Sequence, residues 1–279
     1  MSLCRRLLRL LLIVSLTPVV FLLSCQSKLI YHPRSYGEAY VALLRQAKGH
    51  RIHYQTTQGA QTAFFIPPRH GDARTAPLWL CFSGNGSLAL DWLRVNEAWD
   101  SRYAYLLIDY PSYGDCAGKP TPKNIRESST AAFAALAMDL GQDADSLKTR
   151  TLVLGHSLGA AAALMATEDL KLHRGVLIAP FTSMTDMGRV VLGWPLCYLN
   201  MHRFDNRTAM QATAGNGPAQ FILLHGTDDE VIPIRMSREL AASHKDMIRL
   251  QELPGMHHND ILHLATEQIA TAMDRVAAK

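Results

Sequence analysis

The chain has 279 residues, of which 48% are apolar, and a chain of this size and composition can bury one sizeable hydrophobic core. Its formal charge is +4, but three of its 28 basic residues are Arg5, Arg6 and Arg9, and without these the chain carries 25 basic residues against 24 acidic ones. This near balance gives no electrostatic argument for a nucleic-acid partner, and we expect none.

The first 24 residues have the order of a secretory signal peptide. The N-terminal arginines precede an apolar run over residues 10–23, which is short for a membrane-spanning helix of about 20 residues. The run ends in Leu22-Leu23-Ser24-Cys25 and resembles a bacterial lipoprotein signal, in which the cysteine receives a lipid and cleavage occurs just before it. We therefore expect residues 1–24 to be removed and Cys25 to carry a lipid anchor. The alternative is an uncleaved signal anchor.

Both interpretations place the rest of the chain in the bacterial cell envelope, outside the inner membrane. Gln26 after the cysteine favours the outer membrane, facing the periplasm. In that oxidising compartment, Cys81, Cys116 and Cys197 permit one disulfide and one free thiol. None of these cysteines has the spacing of a zinc site, so we expect no metal.

Residues 25–50 are expected to form a tether that leads into a single domain over residues 51–279, with a weak helix at 36–46. Partial alternation predicts an antiparallel strand pair at residues 51–55 and 61–67. Apolar runs then predict strands at residues 78–82, 103–109, 151–154, 175–179, 220–224 and 248–253, and helices at residues 88–99, 125–140, 160–166, from 234, and 261–276. This alternation predicts a mainly parallel sheet with helices on both faces and a site beyond the carboxyl ends of the strands.

Residues 181–214 interrupt the alternation. This segment holds Trp194-Pro195 and several methionines and aromatic residues, but no clear strand. We interpret it as a small cap insertion over the site. A longer structural connection with a core-packing helix is an equally open alternative.

The sequence Gly155-His156-Ser157-Leu158-Gly159 lies between a predicted strand and a predicted helix. A Gly-x-Ser-x-Gly turn in this context presents its serine at the tip of a strained elbow, because the glycines let the strand and helix approach closely. Ser157 is therefore the candidate nucleophile. A chance glycine-rich turn is the alternative for the motif taken alone.

A serine hydroxyl needs a base to accept its proton, and a histidine base needs a carboxylate to orient its ring. The acid candidates are Asp228 and Asp229, which follow the strand at residues 220–224, although aspartates also favour such turns without any catalytic role. The base candidates are His257 and His258, after the last strand.

The reaction also needs donors for the oxyanion of the tetrahedral intermediate. One expected donor is the backbone N–H of Leu158, directly after the nucleophile. The second is the backbone N–H of Asn85, because the glycines of Ser83-Gly84-Asn85-Gly86 allow backbone amides to turn towards the site.

These motifs together resemble the α/β-hydrolase family of serine hydrolases, and more narrowly its abhydrolase branch. The resemblance rests on Ser83-Gly84-Asn85, on the loop from Asp109 to Gly118, on the Gly155 to Gly159 motif, on His225-Gly226 through Ile232-Pro233, and on Gly255 to Asp260. It implies Asp229 as the triad acid and His258 as the base. Two residues depart from the family pattern: Ser83 replaces a histidine and Ser112 replaces a glycine.

The resemblance implies a serine hydrolase without a cofactor, and the N-terminal signal predicts that it is membrane-tethered and extracytoplasmic. We expect it to cleave a carboxylic ester or thioester of a small molecule, including acyl or lipid substrates, through an acyl-enzyme on Ser157. The alternatives are a peptidase or amidase of the same fold, and an envelope lipoprotein that uses the fold as a binding module. We assign His156 no role.

Overall fold

An eight-stranded sheet forms the centre of the protein in a computed structural model that describes residues 3–215 and 218–278. Its strands are β1 (His50–Thr56), β2 (Gly59–Ile66), β3 (Leu78–Phe82), β4 (Ala104–Ile108), β5 (Thr151–His156), β6 (Arg174–Ile178), β7 (Gln220–Gly226) and β8 (Ile248–Leu253). They lie in the order β1-β2-β4-β3-β5-β6-β7-β8. Strand β2 is antiparallel to both of its neighbours, and β3 to β8 are parallel to one another. The predicted fold class is confirmed.

Burial explains why the strand positions were predictable. Every residue of β3, β4 and β5 is buried, as expected for central strands that are covered on both faces and therefore read as continuous apolar runs. Strand β1 at the sheet edge instead alternates buried and exposed residues. The pattern of apolar residues along each strand thus distinguishes the central strands from the edge strand.

The helices surround this sheet in two groups. They are α1 (Leu3–Ile30), α2 (Glu38–Gln46), α3 (Pro122–Asp139), α4 (Ala144–Thr149), α5 (Leu158–Leu170), α6 (Met184–Leu192), α7 (Asn206–Gly215), α8 (Arg235–Ser243), α9 (Ile261–Leu264) and α10 (Thr266–Ala277). Helices α3 and α7 both pack against α5, whereas α10 packs against β6 and β7. The small residues of α5 are almost all buried, which lets this helix lie close to β3 and β5.

Two helical predictions need correction. The helix predicted at residues 88–99 consists of two 3₁₀ helices, Ala89–Arg94 and Asn96–Ala98. The Asp91 carboxylate accepts the Leu88 N–H at 2.9 Å, and the Val95 N–H donates to the Trp92 carbonyl, three residues back. These local bonds favour the tighter helix. Helix α4 was not predicted, and the predicted C-terminal helix is broken into α9 and α10 at Ala265, which has φ −110°.

The interrupting segment, residues 181–214, contains α6, a 3₁₀ helix at Leu196–Leu199 and most of α7. Helix α6 packs against the 3₁₀ helix, and α7 packs against α5. The segment therefore includes both a part that stands away from the sheet and a helix that packs on the domain. The cap boundary at 181–214 stays a prediction.

Helix α1 covers most of the predicted signal peptide and continues past Cys25 to Ile30, so the first residues of the expected tether are helical. Met1 and Ser2, where that signal peptide begins, lie outside the described residues. Within the part of the chain that the structure describes, no helix combines the length and apolarity needed to cross a membrane. Signal cleavage and lipidation of Cys25, whose side chain is partly exposed, stay predictions.

Candidate active site

Ser157 lies in a strained elbow between β5 and α5. Its φ of 56° and ψ of −119° are unusual for a residue with a side chain, and its N–H donates to the Ile178 carbonyl at 2.9 Å. A Cβ atom on Gly159 would collide with the Phe82 carbonyl, and one on Gly155 would collide with the Gly159 carbonyl. The two glycines of the motif are therefore required by the close approach of β3, β5 and α5.

Asp229 and His258 form a buried pair beyond the ends of β7 and β8. The His258 Nδ1 atom lies 2.7 Å from Asp229 Oδ2. The other carboxylate oxygen, Oδ1, accepts the backbone N–H groups of Val231 at 2.9 Å and Ile232 at 2.7 Å. An ionised carboxylate only accepts, so the His258 proton sits on Nδ1 and leaves Nε2 free to accept a proton.

The surroundings of Asp229 keep it ionised. Burial alone would raise the pKa of this carboxyl, but hydrogen bonds from His225, His258 and the Ile232 N–H outweigh burial and hold the pKa well below its usual range. The carboxylate is therefore negatively charged across the neutral pH range, as an acid that orients a histidine must be.

His225 supports the Asp229 loop, a role that sequence reasoning did not assign. This fully buried residue has Nε2 at 2.8 Å from the Ile232 carbonyl and at 3.3 Å from Asp229 Oδ2. Because a carbonyl only accepts, Nε2 carries the proton, and Nδ1 accepts the Ser237 hydroxyl at 2.7 Å. The i, i+4 spacing of His225 and Asp229 in the motif was the available signal.

The two rejected candidates have other partners. Asp228 Oδ1 accepts the Thr227 hydroxyl at 2.8 Å, in an exposed turn. His257 Nδ1 lies 3.2 Å from Glu230 Oε2, and the side chains of both residues are 55% exposed. This contact raises the pKa of His257. The structure thus brings Asp229 and His258 together, and leaves Asp228 and His257 at the surface.

Ser157 and His258 both line a cavity of about 640 Å³. The lining also includes Gly84, Asn85 and Leu158, so the structure brings all of the predicted triad and oxyanion residues except buried Asp229 to one cavity wall. Most of the remaining wall is apolar and comes from α1, α6 and the 3₁₀ helix at Leu196–Leu199: Leu22, Leu29, Ile30, Met184, Met187, Val191, Leu192, Leu196 and Leu199.

The loop that follows β3 lies directly against the elbow. A Cβ on Gly84 would lie 3.7 Å from the Ser157 Cβ and 3.2 Å from the His156 Nδ1. Hydrogen bonds to the carbonyl and side chain of Asn85 fix its position. The carbonyl accepts the His32 N–H at 3.0 Å and the Tyr113 hydroxyl at 2.5 Å. Its Nδ2 donates to the Ile30 carbonyl at 2.9 Å.

The expected oxyanion donors are free of competing acceptors. Among the described residues, the Asn85 N–H has no hydrogen-bond acceptor. Leu158 is the first residue of α5, so its N–H has no acceptor within the helix. Both residues line the cavity. Their role as oxyanion donors stays a prediction.

The two departures from the family pattern have structural consequences. The Ser83 hydroxyl donates to the Leu88 carbonyl at 3.2 Å, and the Ser83 carbonyl accepts the Tyr110 hydroxyl at 2.6 Å. Ser112 has φ 77°, the left-handed region where the family's glycine is favourable. Each serine thus replaces the family residue without disturbing the Asp229–His258 pair.

His156, beside the nucleophile, belongs to the site. Its ring lies 5.0 Å from the His258 ring, centroid to centroid, with 34° between the planes. Neither ring nitrogen has a partner among the described residues, which is unusual for a buried imidazole. Burial, and then the neighbouring His258, lower the pKa of His156 to about 3. The ring is therefore neutral at pH 7, and the backbone of His258 lies near enough to raise its pKa against these two effects.

The structure contains neither a disulfide nor a metal cluster within the ranges it describes. Cys81, Cys116 and Cys197 are buried free thiols. Across residues 3–215 and 218–278, no group of three or more histidine, cysteine, aspartate or glutamate side chains could hold a metal ion.

Comparison with known proteins agrees with this architecture. A model of the alpha/beta hydrolase family matches residues 70–215, which is more than half of the chain. The chain belongs to this family. The hydrolase is 29% identical over 244 residues to the uncharacterised protein Rv2307c of Mycobacterium tuberculosis, a match that covers 87% of this chain and 83% of that protein.

More distant relatives and solved structures share the fold. The human protein ABHD12B is 27% identical over 187 residues, which cover 57% of the hydrolase and 49% of ABHD12B. The Pyrococcus furiosus esterase PF2001 superimposes with a TM-score of 0.66 at 13% identity, over 89% of this chain and 98% of the esterase. Est1E from Butyrivibrio proteoclasticus does so with a TM-score of 0.59 at 18% identity, over 82% and 99% of the two chains.

Proposed function

We propose that this alpha/beta hydrolase is a serine hydrolase that cleaves a carboxylic ester or thioester. The observation that carries the proposal is the 2.7 Å contact between His258 and ionised Asp229, beside a cavity that also holds the strained Ser157. Buried aspartate, histidine and an elbow serine are the parts of an activated serine nucleophile.

The reaction proceeds through an acyl-enzyme. Ser157 Oγ attacks the carbonyl carbon while His258 Nε2 takes its proton, and the N–H groups of Leu158 and Asn85 stabilise the oxyanion. The intermediate collapses when His258 returns that proton to the departing alcohol or thiol. Water then attacks the Ser157 ester by the same route and releases the carboxylic acid.

The shape and chemistry of the cavity support an acyl chain as the acid part of the substrate. Its wall is largely leucine, methionine and valine side chains, and its volume is about 640 Å³. Each buried CH₂ group contributes about 0.8 kcal/mol, or roughly a fourfold change in kcat/KM when the group is bound in the transition state. The solved relatives named as esterases support an ester bond as the target.

Attachment to the bacterial envelope is the second part of the proposal. Helix α1 carries many exposed large apolar side chains: Leu7, Leu10, Leu11, Ile13, Val14, Leu16, Val20, Phe21, Leu23 and Leu29. Basic residues Arg5 and Arg9 lie near its start. An apolar helix with arginines at one end suits a lipid surface in the uncleaved chain. Cleavage before Cys25 would remove most of this helix, and the lipid on Cys25 would then provide the attachment.

Covalent labelling tests the catalytic proposal directly. Intact-mass analysis after treatment with a fluorophosphonate is expected to show one adduct on the wild type and none on Ser157→Ala or His258→Ala. Asp229→Asn is expected to slow labelling by about 10³-fold or more, whereas the neighbouring Asp228→Asn keeps the wild-type rate.

Two outcomes would contradict the proposal. A correctly folded wild type that takes no adduct would favour a binding module that retains the fold without catalysis. A series of p-nitrophenyl esters that shows no dependence on acyl length would exclude the acyl-chain assignment while leaving serine catalysis in place.

A further inference from the structure

A second cavity, of about 260 Å³, adjoins the catalytic one. The two share Gly84, Ser87, His156 and Asn259 as a common wall. The shared wall therefore includes the glycine of the oxyanion loop, the residue before the nucleophile and the residue after His258. A substrate that reacts at Ser157 has this second cavity directly beside it.

The second cavity is polar and basic, unlike the first. Its lining includes Arg34, Arg94 and His263, and its carboxylate is that of Asp91. Arg34 Nη1 lies 3.5 Å from Asp91 Oδ2, and Arg94 Nε lies 3.5 Å from Asp91 Oδ1. One carboxylate thus faces two guanidinium groups, whose side chains are 53% and 48% exposed.

The guanidinium donors are largely unused. Asp91 already accepts the Tyr40 hydroxyl at 2.7 Å and the Leu88 N–H at 2.9 Å. Arg34 makes one long hydrogen bond, 3.4 Å, to the Gly86 carbonyl, and the Arg94 guanidinium lies 5.2 Å from the Tyr40 ring centre. Each guanidinium has five N–H donors, so most of them can bind an oxyanion.

Two buried residues of the cavity wall also lack partners. Neither ring nitrogen of His156 has a partner among the described residues, and the same is true of the indole Nε1 of Trp92, which is 2% exposed. Buried polar groups are normally hydrogen-bonded, either to protein or to something bound beside them. The indoles of Trp79 and Trp99, outside this cavity, also lack partners, so the observation specific to this site and independent of the arginines is His156 on the shared wall.

We propose that the second cavity receives a phosphate group carried on the alcohol part of the ester substrate. The inference rests on the proposed ester hydrolase function and specifies its leaving group. The acyl chain occupies the apolar cavity, the carbonyl lies at Ser157, and the alcohol projects past His156 and Asn259 towards Arg34 and Arg94. A phosphate offers more acceptor oxygens than a carboxylate, which suits two guanidinium groups and an imidazole N–H.

The test compares two substrates that differ only in the phosphate: a monoacylglycerol and the 3-phosphate of the same monoacylglycerol. The wild type is expected to show the higher kcat/KM on the phosphate ester. The double variant Arg34→Gln/Arg94→Gln is expected to lose at least tenfold on that substrate and to keep its kcat/KM on the neutral one. Arg45→Gln removes an exposed arginine of α2 outside the cavity lining and is expected to change neither value.

A variant that is expected to increase the preference for the phosphate ester distinguishes a role in substrate recognition from a role in folding. Asp91→Asn removes the competing charge, so it is expected to raise the preference for the phosphate ester, whereas a merely structural role of Asp91 would lower both activities together. An unchanged preference in both the double arginine variant and Asp91→Asn would overturn the inference.

Binding distinguishes failure of this inference from failure of the proposed function. Titration calorimetry of the wild type with glycerol 3-phosphate is expected to detect binding that Arg34→Gln/Arg94→Gln loses. If the wild type hydrolyses neither ester and takes no fluorophosphonate adduct, the hydrolase proposal fails, but loss of glycerol 3-phosphate binding in the double variant would still support the phosphate site. Equal binding by both proteins, or by neither, would refute the site.

Discussion

His156 links the catalytic centre to the acid stability of the protein. Its pKa is about 3 in the folded state, lowered by burial and by His258, against about 6.5 for an unperturbed histidine. Above pH 6.5 the ring is neutral in both states and contributes no pH dependence. As pH falls from 6.5 towards 3, only the unfolded chain binds the proton, so the folded state loses up to about 1.4 kcal/mol per pH unit.

We therefore expect His156→Gln to flatten the decline of unfolding free energy between pH 6 and pH 4 by about 1 kcal/mol per pH unit. Urea unfolding at several pH values measures this slope. His257→Gln is the control, because the pKa of exposed His257 is raised by Glu230. That raised pKa adds stability that is essentially complete below about pH 6.5, so His257→Gln should leave the slope of the decline between pH 6 and pH 4 unchanged. Parallel profiles for the wild type and His156→Gln would contradict the expectation.

Among the elements, the end of α5 has a left-handed backbone conformation that the sequence does not predict. Lys171 follows this helix with φ 56° and ψ 45°, in the left-handed region, and the Leu172 N–H closes the helix by donating to the Thr167 carbonyl at 2.9 Å. Glycine is the usual residue at this position, since a side chain is strained there by about 1–2 kcal/mol. A lysine gives no signal that the helix ends in this way.

Lys171→Gly is expected to raise the free energy of unfolding by about 0.5–1 kcal/mol, because the relieved strain exceeds the added flexibility of the unfolded chain. Ala134→Gly places a glycine at an exposed position inside α3, where glycine is unfavourable. This variant should lower the free energy of unfolding by about 0.5–1 kcal/mol. Thermal unfolding of both variants measures the difference. A loss of stability in Lys171→Gly equal to that of Ala134→Gly would show that the helix end is unstrained.

Elements with a clear local apolar pattern were predictable from the sequence, and elements without one were not. Strands β3 and β8 were predicted with their observed bounds because their apolar patterns are local in sequence. The 3₁₀ helices near Asp91 were not predicted because they depend on local hydrogen bonds that the apolar pattern does not report, and that pattern does not mark the break at Ala265. For the site, motif order selected Asp229 and His258. The Arg34–Asp91–Arg94 cluster was missed because about sixty residues separate Arg34 from its partners in the chain.

For the molecule as a whole, the end of α1 joins the N-terminal segment to the wall of the catalytic cavity. Gln26 Oε1 accepts the Met201 N–H at 2.6 Å, the Ser27 hydroxyl lies 3.0 Å from His202 Nε2, and the Tyr31 hydroxyl lies 3.1 Å from His202 Nδ1. These hydrogen bonds attach the end of α1 to residues 201 and 202. Those residues follow the 3₁₀ helix at Leu196–Leu199, which lines the cavity. The contacts begin one residue after Cys25, so cleavage before that cysteine would preserve all of them.

This arrangement predicts different outcomes for two truncations. A chain that begins at Cys25 loses only Leu22 from the cavity wall and is expected to keep kcat/KM on p-nitrophenyl octanoate within about fourfold of the full chain, the effect of roughly one apolar group. A chain that begins at His32 loses Leu29, Ile30 and the bonds to residues 201 and 202, so we expect at least a tenfold loss of kcat/KM and a lower Tm. p-Nitrophenyl acetate serves as the internal control, because its acyl group does not reach the α1 wall and its hydrolysis should fall less. Equal octanoate hydrolysis by both truncations would mean that residues 25–31 take no part in acyl binding. The expected difference would instead make the residues next to Cys25 part of the acyl-binding wall.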